Sequence, residues 1–180
     1  MSSLDRLRKE ILEKSIVHRR VVLSSGKEAD FYVDLRRVTL DSVAAPLLGE
    51  VMLDITKDLD YEAVGGLTLG ADPVATAMLH AAAKQGKKID AFVVRKSEKE
   101  YGMQRRVEGP DVRGKRVLAV EDTSTTGGSV LAAVEALREA GAVVVGVAVV
   151  VERGAKMAVE NNNLPFRFAF SLQSLGLKDT

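Results

Sequence analysis

Apolar side chains recur at Leu4, Leu7, Ile11 and Leu12, close to helical spacing, which predicts an amphipathic helix over residues 3–17. VVLSSG and FYVDLRR follow as two short strands joined by a polar turn over residues 26–30. Asp41 is placed to cap a helix running to about residue 59, with Val43, Leu47, Leu48, Val51 and Ile55 as its apolar positions. From residue 63 the rhythm changes. AVGGLTL (63–69), DAFVVRK (90–96), KRVLAVE (115–121) and VVVGVAVVVER (143–153) read as buried strands, and RFAFSLQ (167–173) as a candidate fifth. DPVATAMLHAAAKQG between them predicts a helix capped by Asp72 with Pro73 in its first turn, and SVLAAVEALREAG a helix closed by Gly141. Apolar runs alternating with helices predict an α/β fold, a mainly parallel central sheet flanked by helices on both faces. No repeat or low-complexity tract interrupts the pattern. Residues 1–180 therefore read as one domain, with a smaller N-terminal subdomain over 1–60 against a core over 61–180.

Composition narrows the function classes. A chain of 180 residues, 46% of them hydrophobic, is long enough for one buried core and short for two. A net charge of +1 argues against a broad basic face for nucleic acid. The absence of cysteine excludes disulfides, thiolate metal sites and cysteine nucleophiles, and His18 and His80 lie too far apart in sequence to suggest a histidine-rich metal centre. The N-terminal stretch is charged and lacks an apolar signal core, and no run is long enough to span a membrane. A cytoplasmic protein without membrane or nucleic-acid partners is the expectation.

The densest chemistry lies in VLAVEDTSTTGGS, residues 117–129. An apolar strand ends in Glu121 and Asp122, and a turn of small and hydroxyl residues leads into a helix. In parallel sheets ligands bind beyond the carboxyl ends of strands. The first turn of a helix offers unpaired N–H groups that a phosphate can approach closely where side chains are small. An isolated TTGGS serves equally well as a capped turn, with Ser129 or Thr126 as N-cap. The two acids change the balance, because they would repel a bare phosphate. A ligand with hydroxyls between acids and phosphate fits: the 2- and 3-hydroxyls of a ribose 5-phosphate donate to the carboxylates while the phosphate fills the loop. Rival phosphate motifs are missing, since neither GxxxxGK[ST] nor GxGxxG after a strand occurs.

The same thirteen positions resemble the PRPP-binding signature of type I phosphoribosyltransferases, PRPP being 5-phosphoribosyl 1-pyrophosphate. The resemblance implies a type I phosphoribosyltransferase fold with an N-terminal hood over the base pocket. It assigns PRPP to Glu121, Asp122, Thr123, Ser124, Thr125, Thr126, Gly127, Gly128 and Ser129. VVRKSEKEYGMQRRVEG (93–109) begins on a strand and continues as a charged stretch without apolar periodicity, which a solvated loop would also explain. It resembles the mobile catalytic loop of orotate phosphoribosyltransferases, which implies that Arg95, Lys96 and Lys99 meet pyrophosphate. Tyr101 stands where that family commonly has a histidine. VLSSGKEADFYVDLR (22–36) resembles the family's orotate-pocket segment, with Ser24 in place of a frequent lysine and Tyr32 facing either the base or the hood packing. Arg153 closes VVVERGA; it could ion-pair at the surface, where such pairs contribute about 0–1 kcal/mol. The family reading instead sets its guanidinium against the carboxylate of orotate, with Thr125 and Tyr32 as the other base contacts. GLTLGADP (66–73) falls at the family's pyrophosphate loop, where Thr68 and Leu69 replace a Tyr-Lys pair and binding would rest on backbone N–H groups.

The implied activity is that of an orotate phosphoribosyltransferase. Orotate and PRPP give orotidine 5-monophosphate and pyrophosphate, in de novo pyrimidine (UMP) biosynthesis. Lys99, Asp122 and Glu121 are the implied catalytic residues. Mg²⁺ is the implied cofactor, held chiefly by PRPP oxygens and water with no protein ligand assigned, and the implied assembly is a homodimer with shared active sites. Transfer to uracil or a purine, and a non-catalytic PRPP-binding regulator of the same fold, are the alternatives.

Overall fold

The computed structural model describes residues 1–18, 21–22, 28–29, 31–97 and 105–177. Helix α1 (Ser3–Lys14) opens on a reciprocal cap: the Ser2 hydroxyl accepts from the Asp5 N–H, and the Asp5 carboxylate accepts from the Ser2 N–H, both at 3.1 Å. Its Leu7 and Ile11 are fully buried. Short antiparallel pairs follow, β1 (Ile16–Val17) with β4 (Tyr32–Val33) and β2 (Val21–Val22) with β3 (Glu28–Ala29). The expected turn over 26–30 lies partly outside the described residues, and within it Glu28–Ala29 is strand.

The expected strand FYVDLRR is corrected. Only Tyr32–Val33 is strand, and the chain then coils into α2 (Arg36–Thr39). Leu35 and Val38 must both reach the core, and a spacing of three puts them on one side of a helical turn, not of a strand. Asp41 acts as expected: its Oδ1 accepts from the N–H groups of Val43 and Ala44, each at 2.9 Å, at the entry to α3 (Ala44–Ile55). That helix stops short of the expected residue 59, where the Thr56 hydroxyl turns back to the Met52 carbonyl.

The central sheet contains β5 (Ala63–Leu67), β6 (Asp90–Val94), β7 (Val107–Glu108), β8 (Arg116–Ser124), β9 (Val143–Glu152) and β10 (Phe166–Ser171), in the order β10-β9-β8-β5-β6-β7. All neighbours are parallel except β6 and β7. Helices α4 (Ala71–Lys84), α5 (Gly128–Glu139) and α6 (Lys156–Glu160) connect the strands. Alternation along β8 sorts its side chains to two cores. Leu118 and Val120 join Leu7, Leu48, Met52 and Met78 from α1, α3 and α4; Val117 and Ala119 join Val130, Val134 and Leu137 from α5. No helix among the described residues is long and apolar enough to cross a membrane.

Two caps differ from expectation. Gly70 is the cap of α4, and Asp72 sits inside the first turn, where it accepts from the Thr68 hydroxyl at 2.7 Å. Helix α5 is capped by Gly127 at φ +82°, neither by Thr126 nor by Ser129. The turn out of β8 needs a left-handed residue there, which glycine adopts at no steric cost. Thr126 contributes from outside, its hydroxyl oxygen accepting from the Gly128 N–H at 3.3 Å.

Candidate active site

The strand order places the site. From β5 the chain proceeds to β6 on one side, and from β8 to β9 on the other. The loops leaving β5 and β8 therefore diverge, and a crevice opens between them at the carboxyl ends of the strands.

Both acids stand on the rim of this crevice. Glu121 is buried and Asp122 half-buried. The Asp122 N–H donates to Glu121 Oε1 at 3.1 Å, and the Thr123 N–H donates to Asp122 Oδ1 at 2.7 Å, so the backbone fixes both carboxylates. Gly70, the last loop residue after β5, packs directly on them. A Cβ there would run into Glu121 Oε1 and lie 2.8 Å from Asp122 Oδ1. Burial, and then the charge of Asp122, push the Glu121 carboxyl up to about 8.

The cleft in front has a volume of about 310 Å³ and three walls. Tyr32, Asp34 and Arg36 form one; Thr68, Leu69 and Gly70 form the second, with Lys96 beyond the end of β6; Glu121, Asp122, Thr123 and Ser129 form the third. The second wall is fixed by the Thr68 N–H, which donates to the Val94 carbonyl at 2.8 Å. Of the residues singled out in the sequence, Tyr32, Thr68, Leu69, Lys96, Glu121, Asp122, Thr123 and Ser129 are thus brought together.

The others lie around the cleft. Ser124 is buried at the end of β8, and its carbonyl accepts from the Arg153 N–H at 2.9 Å. Thr125, Thr126 and Gly128 are exposed along the loop, with Gly127 buried between them. Gly154, at φ +125°, lies against the Thr125 carbonyl, so the turn after β9 is seated on this loop and carries Arg153 beside it. Glu152 directs Oε1 to the N–H groups of Gly154 and Lys156. Arg95 ion-pairs with Glu108 at 3.5 Å and does not line the cleft. Lys99, Tyr101 and Ser24 lie outside the described residues.

Sequence reasoning missed Asp34 and Arg36. The signal was present: in YVDLR the polar Tyr32, Asp34 and Arg36 alternate with Val33 and Leu35, which are buried, and the whole segment lines the cleft.

Residues 63–168 match the family model of the phosphoribosyl transferase domain. Over 174 residues, 95% of this chain and 96% of its relative, the chain is 64% identical to orotate phosphoribosyltransferase of Streptomyces avermitilis. The chain belongs to the orotate phosphoribosyltransferases. Its fold is accordingly the type I phosphoribosyltransferase fold. Among solved members of this family, the Mycobacterium tuberculosis orotate phosphoribosyltransferase in complex with Fe(III) dicitrate superposes with a TM-score of 0.88 at 55% identity, covering 97% of this chain and 99% of that one. The same enzyme in complex with PRPP superposes with a TM-score of 0.84 at 50% identity over the same shares.

Proposed function

We propose that this orotate phosphoribosyltransferase transfers the 5-phosphoribosyl group of PRPP to orotate, giving orotidine 5-monophosphate and pyrophosphate in pyrimidine biosynthesis. The observation that carries the reading is the backbone-fixed Glu121–Asp122 pair at the switch point of the sheet, joined without a break to the Thr123–Ser129 turn at the start of α5.

The ribose hydroxyls donate to Asp122 and Glu121, while the 5-phosphate takes the N–H groups of the 125–129 turn. Cleavage of the C1–O bond develops positive charge on the ribose, and the carboxylates put negative charge beside it. No covalent nucleophile is needed; positioning and electrostatics supply the acceleration. Lys96, with Arg95, Lys99 and Tyr101 from the adjoining charged stretch, takes the side of the leaving pyrophosphate. Arg153, Thr125 and Tyr32 hold orotate. The donors facing the cleft are hard carboxylate and hydroxyl oxygens, which suit Mg²⁺; bound together with PRPP, the ion would supply positive charge against the pyrophosphate. No group of three metal-ligating side chains occurs among the described residues. The reading extends to a cytoplasmic homodimer and to residues 1–60 as a hood above the base pocket.

Loss of orotate absorbance with PRPP and Mg²⁺ tests the activity, with uracil and hypoxanthine as competitors. Arg153→Ala tests the base site. Losing a charge-assisted pair should raise the KM for orotate roughly ten- to a hundredfold and leave that for PRPP within about twofold. An equal rise in both marks Arg153 as structural.

A further inference from the structure

Among the described residues lining the cleft, only Arg36 and Lys96 are cationic, against Asp34, Glu121 and Asp122. The loop after β5, Leu67–Gly70 in sequence LTLG, offers an anion backbone groups and one hydroxyl, and that hydroxyl is engaged with Asp72. Lys96 is thus the one described cation on that wall, and further positive charge for pyrophosphate must come from across the cleft.

Arg36 is built to provide it. Val33, Leu35 and Val38 anchor its segment in the core, and the Asp34 N–H donates to the Ser15 carbonyl at 2.9 Å. The Asp34 carboxylate accepts from Arg36 Nε at 3.0 Å. This bond uses one edge of the guanidinium and leaves the edge formed by its two terminal nitrogens for a second anion. The hydrogen bond that Asp34 accepts, and the charges of Asp34 and Asp122, favour the charged guanidinium further. Position decides which end of the substrate it serves. Helix α2, which Arg36 begins, packs against α4, the helix that the β5 loop leads into. Arg153 lies on the other side, beside the β8 turn.

We propose that Arg36 binds the pyrophosphate of PRPP, and that Asp34 is the residue that positions it. The assignment rests on the reading of the cleft given above.

Calorimetric titration of the whole protein with inorganic pyrophosphate and Mg²⁺, and separately with ribose 5-phosphate, tests it. Arg36→Ala and the bulkier Arg36→Gln should weaken pyrophosphate binding, and raise the KM for PRPP, by about tenfold, the effect of one partly exposed charge-assisted contact. Ribose 5-phosphate affinity and the KM for orotate should stay within about twofold, and Arg36→Lys should recover part of the loss. Lys57→Ala, which removes an exposed cation that does not line the cleft, should match wild type. Pyrophosphate binding by Arg36→Gln equal to wild type, or a KM rise confined to orotate, overturns this assignment alone. A wild-type protein that binds ribose 5-phosphate but no pyrophosphate overturns it as well. Wild-type protein that binds neither overturns the cleft reading with it.

Discussion

A buried carboxyl next to a second acid is difficult to ionise, and Glu121 is such a group. Its carboxyl stands well above the ordinary carboxylate range because burial and Asp122 both disfavour the charge. The folded chain therefore keeps a proton that the unfolded chain releases, and stability is fully present below the unfolded value near 4.5 and is lost as pH rises through about 8. The ligand-free protein should melt at progressively lower temperature from about pH 5 to about pH 9, and Glu121→Gln should flatten that slope. A slope unchanged in the Gln variant would assign the loss to other groups. Ribose hydroxyls favour the ionised pair, so PRPP binding near neutral pH should release protons, visible as a dependence of binding heat on the buffer. The two acids could be read from the sequence because they end an apolar strand directly ahead of a small-residue turn. Arg36 could not be weighted in the same way. A single cation in a strand-like run carries no sign of the neighbour it will face, and only the contact between α2 and α4 turns it toward the cleft.

Two glycines show how closely β5 and its loop approach β8, and they separate fold from site. A Cβ on Gly66 would collide with the Val120 carbonyl and sit 2.8 Å from the Ala71 Cβ, both rigid. A Cβ on Gly70 would meet the ends of two side chains instead, Glu121 and Asp122, in a backbone conformation open to any residue. Gly66→Ala should thus cost about 1–3 kcal/mol of stability by overpacking. Gly70→Ala should melt close to wild type while its turnover falls by roughly tenfold or more, because displaced carboxylates no longer meet the ribose. Thermal denaturation and steady-state kinetics on both variants check this, and a Gly70→Ala enzyme of full activity would show that the acids tolerate movement. The parallel strands of the central sheet were legible for the same reason that they pack, since runs such as VLAV and VVVGVAVVV are apolar on both faces, whereas the antiparallel β7 lay unread in the charged 93–109 stretch. The corner at residues 32–39 was not, since three apolar residues, Val33, Leu35 and Val38, spaced by two and then three, suit a strand and a helical turn in succession, and only the packing of Leu35 and Val38 selects the break. Cap identity at Gly70 and Gly127 was hidden behind better-known capping residues one or two positions away.

At the scale of the whole molecule, the proposed dimer asks which subunit supplies the cations that meet pyrophosphate. Residues 95–106 carry Arg95, Lys96, Lys99, Arg105 and Arg106 against Glu98 and Glu100, a composition that cannot form a core and suits a segment that works by contacting an anion. Arg95 is engaged with Glu108 and Lys96 lines the cleft of its own chain, so Lys99 is the cation of this stretch to test across subunits. We propose that Lys99 serves the active site of the neighbouring subunit. Lys99→Ala and Asp122→Ala should each be nearly inactive alone. In a mixed dimer one site then takes its acid pair from the first chain and its lysine from the second, and is intact, while the other site carries both defects. Activity per mixed dimer should return to about half of the wild-type value, as two-fold symmetry requires. If Lys99 acts within its own chain, each site keeps one defect and mixing restores nothing. Heterodimers isolated through two different affinity tags make the comparison clean, and inactivity in them would end the shared-site proposal while leaving the role of the Glu121–Asp122 pair intact.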